Sequence, residues 1–62
     1  MSLLSEFDPE IAKAIQDYST AISLDPDYAL AYNNRGYIYF EQGENDKALA
    51  DANKAISLDP DL

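Results

Sequence analysis

The sequence contains no cysteine and no histidine, and both absences limit the chemistry that it can carry. Without cysteine, no disulfide can stabilise the fold and no thiolate can hold a metal ion. Without histidine, the hydroxyl side chains lack the base that most often activates a nucleophile. A chain of 62 residues also buries only a modest fraction of its surface and is marginally stable. We therefore expect at most one small domain, with no catalytic site.

Basic residues are scarce as well, since four lysines and arginines face twelve aspartates and glutamates, a formal charge of −8. Nucleic acids and anionic membranes both require clustered basic side chains, so neither is expected as a partner. The acids are most simply a solvated surface, although they permit a basic partner. No apolar run approaches the roughly 18 residues of a membrane span, and no signal peptide is visible. We expect a cytoplasmic protein.

The remaining polar residues do not combine into a recognisable ligand site. Four aspartates flank two of the three prolines, namely Asp25, Asp27, Asp59 and Asp61. Their spacing lacks the loop pattern and the distal glutamate of a calcium site, so helix capping and solvation explain them better. Gly36 and Gly43 do not form a phosphate-binding loop. Arg35 alone cannot support base stacking on the aromatic rings. No metal and no cofactor is expected.

The most informative feature of the chain is an internal repeat. Residues 17–27 read DYSTAISLDPD and residues 51–61 read DANKAISLDPD, with eight of eleven positions identical at an offset of 34 residues. A fixed period in this range is the signature of stacked structural repeats.

Apolar residues at spacings of three and four predict three helices. Their expected limits are residues 9–24 for the first helix and residues 28 to 41 or 42 for the second. The third helix is expected to follow a cap at Asn45 or Glu44 and to run to about residue 58. Asp8 and Pro9 form a favourable helix start, and Asp27 is expected to cap the second helix. Gly43 fits the left-handed residue that ends a helix. Because the connections are short, consecutive helices should be antiparallel neighbours.

The inward and outward faces of the third helix are also predicted from spacing. The third helix is expected to turn one apolar stripe inward: Ala48, Leu49, Ala52, Ala55 and Ile56. Its outer side is expected to carry Lys47, Asp51 and Lys54.

Gly36 costs the second helix about 1 kcal/mol of propensity relative to alanine. Close approach of a neighbouring helix at Gly36 is the natural compensation.

The 34-residue period and the residues of the predicted helices resemble the tetratricopeptide repeat, a motif of two helices in 34 residues. When Pro60 is placed on the late proline of that family, matching positions fall on Tyr32, Gly36, Tyr39, Ala48 and Ala55. The preceding segment is similar to the second helix of an earlier repeat, through Ala14, Tyr18, Ala21 and Pro26. Arg35 stands where the family prefers leucine, and Ala52 stands where it prefers a large aromatic residue. The second departure predicts a looser contact between the paired helices.

The resemblance implies an all-α fold of three antiparallel helices, one and a half repeats of a right-handed superhelical stack. Residues 1–8 are then an N-terminal stub of a repeat whose beginning is missing. Residues 9–26 are the second helix of a partial repeat, and residues 27–62 are one complete repeat.

The resemblance also implies a scaffold that binds a peptide or a helix of a partner protein in a concave groove. The groove positions of the family fall on Leu30, Asn33, Asn34, Tyr37, Phe40 and Glu41. The two asparagines can hydrogen-bond a peptide backbone, and the apolar members can hold an apolar side chain. An apolar or basic partner is expected. For Tyr37 and Phe40, a place in the core and a place in the groove are equally supported. Arg35 is expected to face a neighbouring helix, which disfavours a clamp for a terminal carboxylate.

The alternative is a structural fragment that associates with itself through uncovered repeat faces. At one end Ala14, Tyr18 and Ala21 lack the first helix of their own repeat, and at the other Ile56 and Leu58 lack the next repeat. A homo-oligomer is then expected, as a closed two-fold dimer in preference to an open stack.

Overall fold

The computed structural model describes residues 8–61 and consists of three α-helices. We name them α1 (Pro9–Leu24), α2 (Ala29–Glu41) and α3 (Asn45–Leu58). Residues 8–61 contain no β-strand, and the predicted all-α fold is confirmed. The stub predicted over residues 1–8 lies, except for Asp8, outside the described residues.

The two ends of α1 follow from the aspartates that precede proline. Asp8 accepts a hydrogen bond at Oδ1 from the backbone N–H of Glu10, at 2.9 Å, and Pro9 occupies the first helical turn. Asp25 ends the helix in an extended conformation, at φ −140° and ψ 90°. Asp59 ends α3 at φ −144° and ψ 93°, so the repeat in sequence is also a repeat in backbone geometry.

Both of these closing aspartates organise the residues after them in the same way. The Oδ1 atom of Asp25 accepts the N–H of Asp27 at 3.1 Å, and that of Asp59 accepts the N–H of Asp61 at 3.1 Å. Asp27 therefore belongs to the turn, and its prediction as the cap of α2 was wrong. Tyr28 occupies the cap position, without a side-chain hydrogen bond to the helix.

Gly43 ends α2 as predicted, with a left-handed φ of 81°. Its N–H donates to the carbonyl of Phe40 at 3.0 Å, and the N–H of Glu44 donates to the carbonyl of Tyr39 at 2.9 Å. This pair of bonds is the Schellman motif, which satisfies carbonyls that the helix end would otherwise leave free.

The middle helix, α2, is the one against which the other two pack. Both α1 and α3 pack against α2, and within residues 8–61 they do not pack against each other. Arg35 of α2 bonds Asp51, and Tyr39 lies beside Lys47, so the contacts run in opposite directions along the two helices. The helices are thus antiparallel neighbours.

The core consists of small residues, which lets α2 and α3 approach closely. Ala31, Gly36, Ala48 and Ala55 are all buried. A Cβ atom added to Gly36 would lie 3.0 Å from the Cβ of Asp51 and 3.2 Å from the carbonyl oxygen of Ala48. The predicted close contact at Gly36 is therefore confirmed.

The predicted faces of α3 were partly wrong. Ala48 and Ala55 are buried as expected, but Leu49 and Ile56 are 62% and 55% exposed. Asp51, which was predicted on the outer side, is only 6% exposed. The buried face is set by the small residues that pack on α2 and by an ion pair that draws Asp51 inward. Leu49 and Ile56 consequently turn toward solvent.

Candidate functional site

A groove of about 390 Å³ runs between α2 and α3, and we call it the α2–α3 groove. Its lining comes from Asn33, Asn34, Gly36, Tyr37 and Phe40 of α2 and from Ala48, Leu49 and Ala52 of α3. None of these side chains is charged. Four of the six residues predicted for the partner groove, Asn33, Asn34, Tyr37 and Phe40, line it.

The other two predicted groove residues lie elsewhere. Leu30 is exposed on α2, outside the groove lining. Glu41 borders a separate hollow of about 440 Å³ between α1 and α2, together with Asp8, Glu10 and an apolar floor that includes Ile38. Four predicted residues therefore line the α2–α3 groove, Glu41 borders a different hollow, and Leu30 lines neither.

Ala52 explains why the groove is open. It stands where the resembled family prefers a large aromatic side chain, and 34 residues earlier α1 carries Tyr18 at the equivalent position. A methyl group fills much less of the space beside Tyr37 and Phe40 than a ring would. Leu49 and Ala52 were not among the predicted groove residues, although the contrast between Tyr18 and Ala52 is visible in the sequence.

The aromatic residues of α2 fall into two sets. Tyr37 and Phe40 are 63% and 64% exposed, so they belong to the surface and not to the core. Tyr32 and Tyr39 are half-buried, and the guanidinium of Arg35 lies 5.7 Å from the centre of each ring. These are cation–π contacts, which fix Arg35 on the side of α2 away from the groove.

Arg35 joins all three helices through its hydrogen bonds. Its Nε donates to Oδ2 of Asp51 at 2.7 Å, and its Nη2 donates to Oδ1 at 2.8 Å, while Nη1 donates to Oγ of Ser19 at 3.0 Å. The bond to Asp51 raises the pKa of the Arg35 guanidinium. Arg35 faces its neighbours as expected, and three of its five N–H donors are used inside the fold.

Most of the positive charge of the chain is already paired. Besides Arg35, Lys13 lies 4.0 Å from Asp17, and Lys47 lies 3.1 Å from Glu44. The hydrogen bond to Glu44 raises the pKa of the exposed Lys47 ammonium. In residues 8–61, only Lys54 among the four basic side chains has no ion pair. In the same part of the chain, the acids that have an ion-pair partner are Asp17, Glu44 and Asp51.

The residues predicted for self-association are unevenly exposed. Ile56 is exposed, whereas the other four, Ala14, Tyr18, Ala21 and Leu58, are half-buried. In α3, the positions equivalent to Ala14 and Ala21 of α1 are Ala48 and Ala55. Both are buried against α2. The corresponding face of α1 is thus less covered than the same face of α3.

Neither a metal-ligand cluster nor a membrane-spanning helix is present among the described residues. Within residues 8–61 no group of three or more acidic, histidine or cysteine side chains is placed to hold a metal ion. In the same part of the chain, no helix combines the length and the apolar character needed to cross a membrane.

Two family models match the sequence. Residues 10–43 match a model described as TPR repeat, and residues 29–62 match a model described as tetratricopeptide repeat. Each match covers more than half of the chain, and the two overlap over α2. No curated protein matches the sequence, and no solved structure matches it.

Proposed function

The chain belongs to the tetratricopeptide repeat family, and we propose that it is a scaffold module that binds a peptide or helix of a partner protein in the α2–α3 groove, without catalysis. Repeats of this family are generally protein–protein interaction modules. The observation that carries the proposal is the groove itself, which is uncharged and has exposed apolar side chains on both walls.

The groove offers two kinds of contact to a peptide. A partner can remove apolar surface from water at Tyr37, Phe40 and Leu49. Each Å² of apolar surface that becomes buried is worth about 25 cal/mol of transfer free energy. Asn33 and Asn34 each carry an amide that both donates and accepts, so they can bond a peptide backbone whatever its sequence. Leu30 and Glu41 lie outside the groove lining but stay part of the proposed binding surface of α2. Glu41 adds a preference for a basic partner.

A peptide array tests this proposal. Apolar and basic peptides should bind, whereas a preference for acidic peptides with a free terminal carboxylate would contradict the proposed partner chemistry. Phe40→Ala should weaken the binding of array hits by about tenfold, because aromatic anchors dominate such interfaces. Leu24→Ala is the matched control, since Leu24 is more exposed than Phe40 and lies outside the groove.

Self-association is the second candidate function, and the exposed Ile56 together with the half-covered Ala14 and Ala21 favours it. Copies that join through these faces would form a homo-oligomer, with a closed two-fold dimer preferred because open stacking threatens solubility. Sedimentation equilibrium over a concentration series tests it. A single species of monomer mass that melts cooperatively would exclude this candidate. The cytoplasmic location stays a prediction.

A further inference from the structure

A furrow separates α1 from α3 on the side of α2 that lies away from the α2–α3 groove, and we call it the α1–α3 furrow. Its floor is Arg35 of α2, which donates hydrogen bonds to Ser19 of α1 and to Asp51 of α3. Within residues 8–61 the two outer helices do not pack against each other, so the space between them is open. One end of it holds a hollow of about 370 Å³ to which all three helices contribute. Every wall of the furrow thus belongs to a helix that the structure describes.

The furrow gathers most of the positive charge of the chain. Lys47 lines its hollow, and Lys47, Asp51 and Lys54 follow one another along α3 at spacings of four and three. Side chains at these spacings lie on one face of a helix. Because Asp51 bonds Arg35, this face of α3 borders the furrow. Three of the four basic residues of the chain, Arg35, Lys47 and Lys54, are therefore found here.

The acids are distributed in the opposite way. The furrow contains Glu44 and Asp51, and each of them already pairs with a base. On the α1 wall, Asp17 stands two residues from Ser19 and so lies on another side of the helix. Elsewhere in residues 8–61, nine acids accompany a single base, Lys13. The furrow is thus a locally positive strip on a strongly negative molecule.

Two ammonium groups of this strip are available to a partner. Lys54 is exposed and, within residues 8–61, has no ion pair. Lys47 lies 3.1 Å from Glu44, but the two side chains are 61% and 44% exposed. An exposed pair of this kind contributes little, so Lys47 can exchange Glu44 for a carboxylate of a partner.

The dimensions of the furrow favour an extended partner. A single guanidinium reaches both walls, so the floor is too narrow for an α-helix, whose diameter with side chains is about 10–12 Å. Lys47 and Lys54 are seven residues apart, which is about 10.5 Å along α3. In a polyproline II segment, side chains three residues apart point the same way and are separated by about 9 Å. Two acids at that spacing match the two lysines.

We propose that the α1–α3 furrow binds an extended segment of a partner protein that carries two acidic side chains three residues apart. One acid pairs with Lys47 and the other with Lys54. An apolar residue beside the first acid fits the hollow, where Ile15 and the ring of Tyr39 form part of the lining. The surrounding acids repel further carboxylates, so the segment carries no more than these two charges. This surface goes beyond the proposed function, whose groove lies on the other side of α2.

Three labelled peptides of equal length, with both ends blocked, test the proposal on the full chain. The first has two glutamates three residues apart, the second has the same two glutamates side by side, and the third has glutamine in both places. In fluorescence anisotropy at low salt, the first should bind about tenfold more tightly than the third. The second should fall between them, because it can meet one lysine at a time.

Protein variants locate the binding. Lys54→Gln should weaken the first peptide by about twofold to fivefold, the range of one exposed ion pair. Lys47→Gln together with Lys54→Gln should weaken it by about tenfold. Lys13→Gln is the matched control, since it removes the same charge from an exposed side chain of α1 outside the hollow, and its effect should stay below about twofold. Phe40→Ala should leave the affinity unchanged.

The outcomes separate this inference from the proposed function. Equal binding of the first and third peptides would overturn it, and so would equal losses from Lys13→Gln and Lys54→Gln. If Phe40→Ala abolishes binding of the first peptide, that peptide sits in the α2–α3 groove, and the furrow is overturned. If the furrow variants have no effect but array peptides bind through Phe40, the proposed function stands alone.

Discussion

Arg35 is the residue on which the relative placement of the three helices most depends. Its guanidinium bonds both carboxylate oxygens of Asp51 and the hydroxyl of Ser19, and it lies between two tyrosine rings. Arg35→Leu introduces the residue that the family prefers but leaves Asp51 buried without a partner. Loss of one member of such a pair costs about 3 kcal/mol, a large share of the stability of a small domain. Urea denaturation followed by circular dichroism should show this loss.

The double variant Arg35→Leu with Asp51→Leu is the matched comparison, because it removes both charges together. Replacing a buried pair with apolar residues is often neutral, so the double variant should recover much of the lost stability. An Arg35→Leu protein as stable as the original chain would contradict the role assigned to this pair.

Gly36 supports a second prediction at the residue scale. Gly36→Leu should lower the free energy of unfolding by about 1–3 kcal/mol, because its side chain would enter the contact with Asp51 and the Ala48 carbonyl. The gain in helix propensity, about 1 kcal/mol, does not offset this overpacking. Ala50→Leu, on the exposed side of α3, should change stability by no more than about 0.5 kcal/mol. A thermal melt in which Gly36→Leu matches the parent would sink the claim.

These residues also show what the sequence could and could not predict. A glycine in the middle of a predicted helix costs helix propensity, so a close contact at Gly36 was expected as the compensation. Asp51 was misplaced because periodicity treats every aspartate as an outward residue. Its burial depends on Arg35, sixteen positions away, and only the fold brings the two together.

At the scale of the elements, α1 and α2 differ in how their starts are secured. Asp8 caps α1 with a side-chain hydrogen bond, whereas Tyr28, at the cap position of α2, makes none to its helix. Asp8→Ala should therefore cost about 1 kcal/mol, while Asp8→Asn keeps the accepting oxygen and should cost much less. Chemical denaturation of the two variants measures the difference. If the Asp8→Ala and Asp8→Asn variants were equally stable, the side-chain cap would contribute nothing to the stability of the fold.

Helix limits were the most predictable part of the fold, since they follow from Asp-Pro pairs and one glycine. The face that each helix presents was less predictable. Leu49 and Ile56 fit an inward stripe by spacing, yet small residues dominate the contact between α2 and α3 and turn them outward. The groove walls contributed by α3 were missed for the same reason, whereas those on α2 came from the family resemblance.

For the whole molecule, the excess of acids predicts opposite salt responses for the two candidate functions. Self-association brings chains of formal charge −8 together, so salt should strengthen it by screening the repulsion. Added salt should weaken the binding of a basic peptide. Sedimentation equilibrium and peptide titration at low and high salt measure the two effects side by side. Association that weakens with salt would show that specific ion pairs, and not apolar faces, join the copies.

The packing of α1 and α3 on α2, and not on each other, has a consequence for how fast the chain folds. Within residues 8–61, every helix contact joins neighbours in sequence, across connections of four and three residues. Loops this short close at little entropic cost, and helical proteins dominated by local contacts fold on the order of microseconds to milliseconds. During synthesis, α1 and α2 can pair before α3 has emerged, so folding can keep pace with the growing chain.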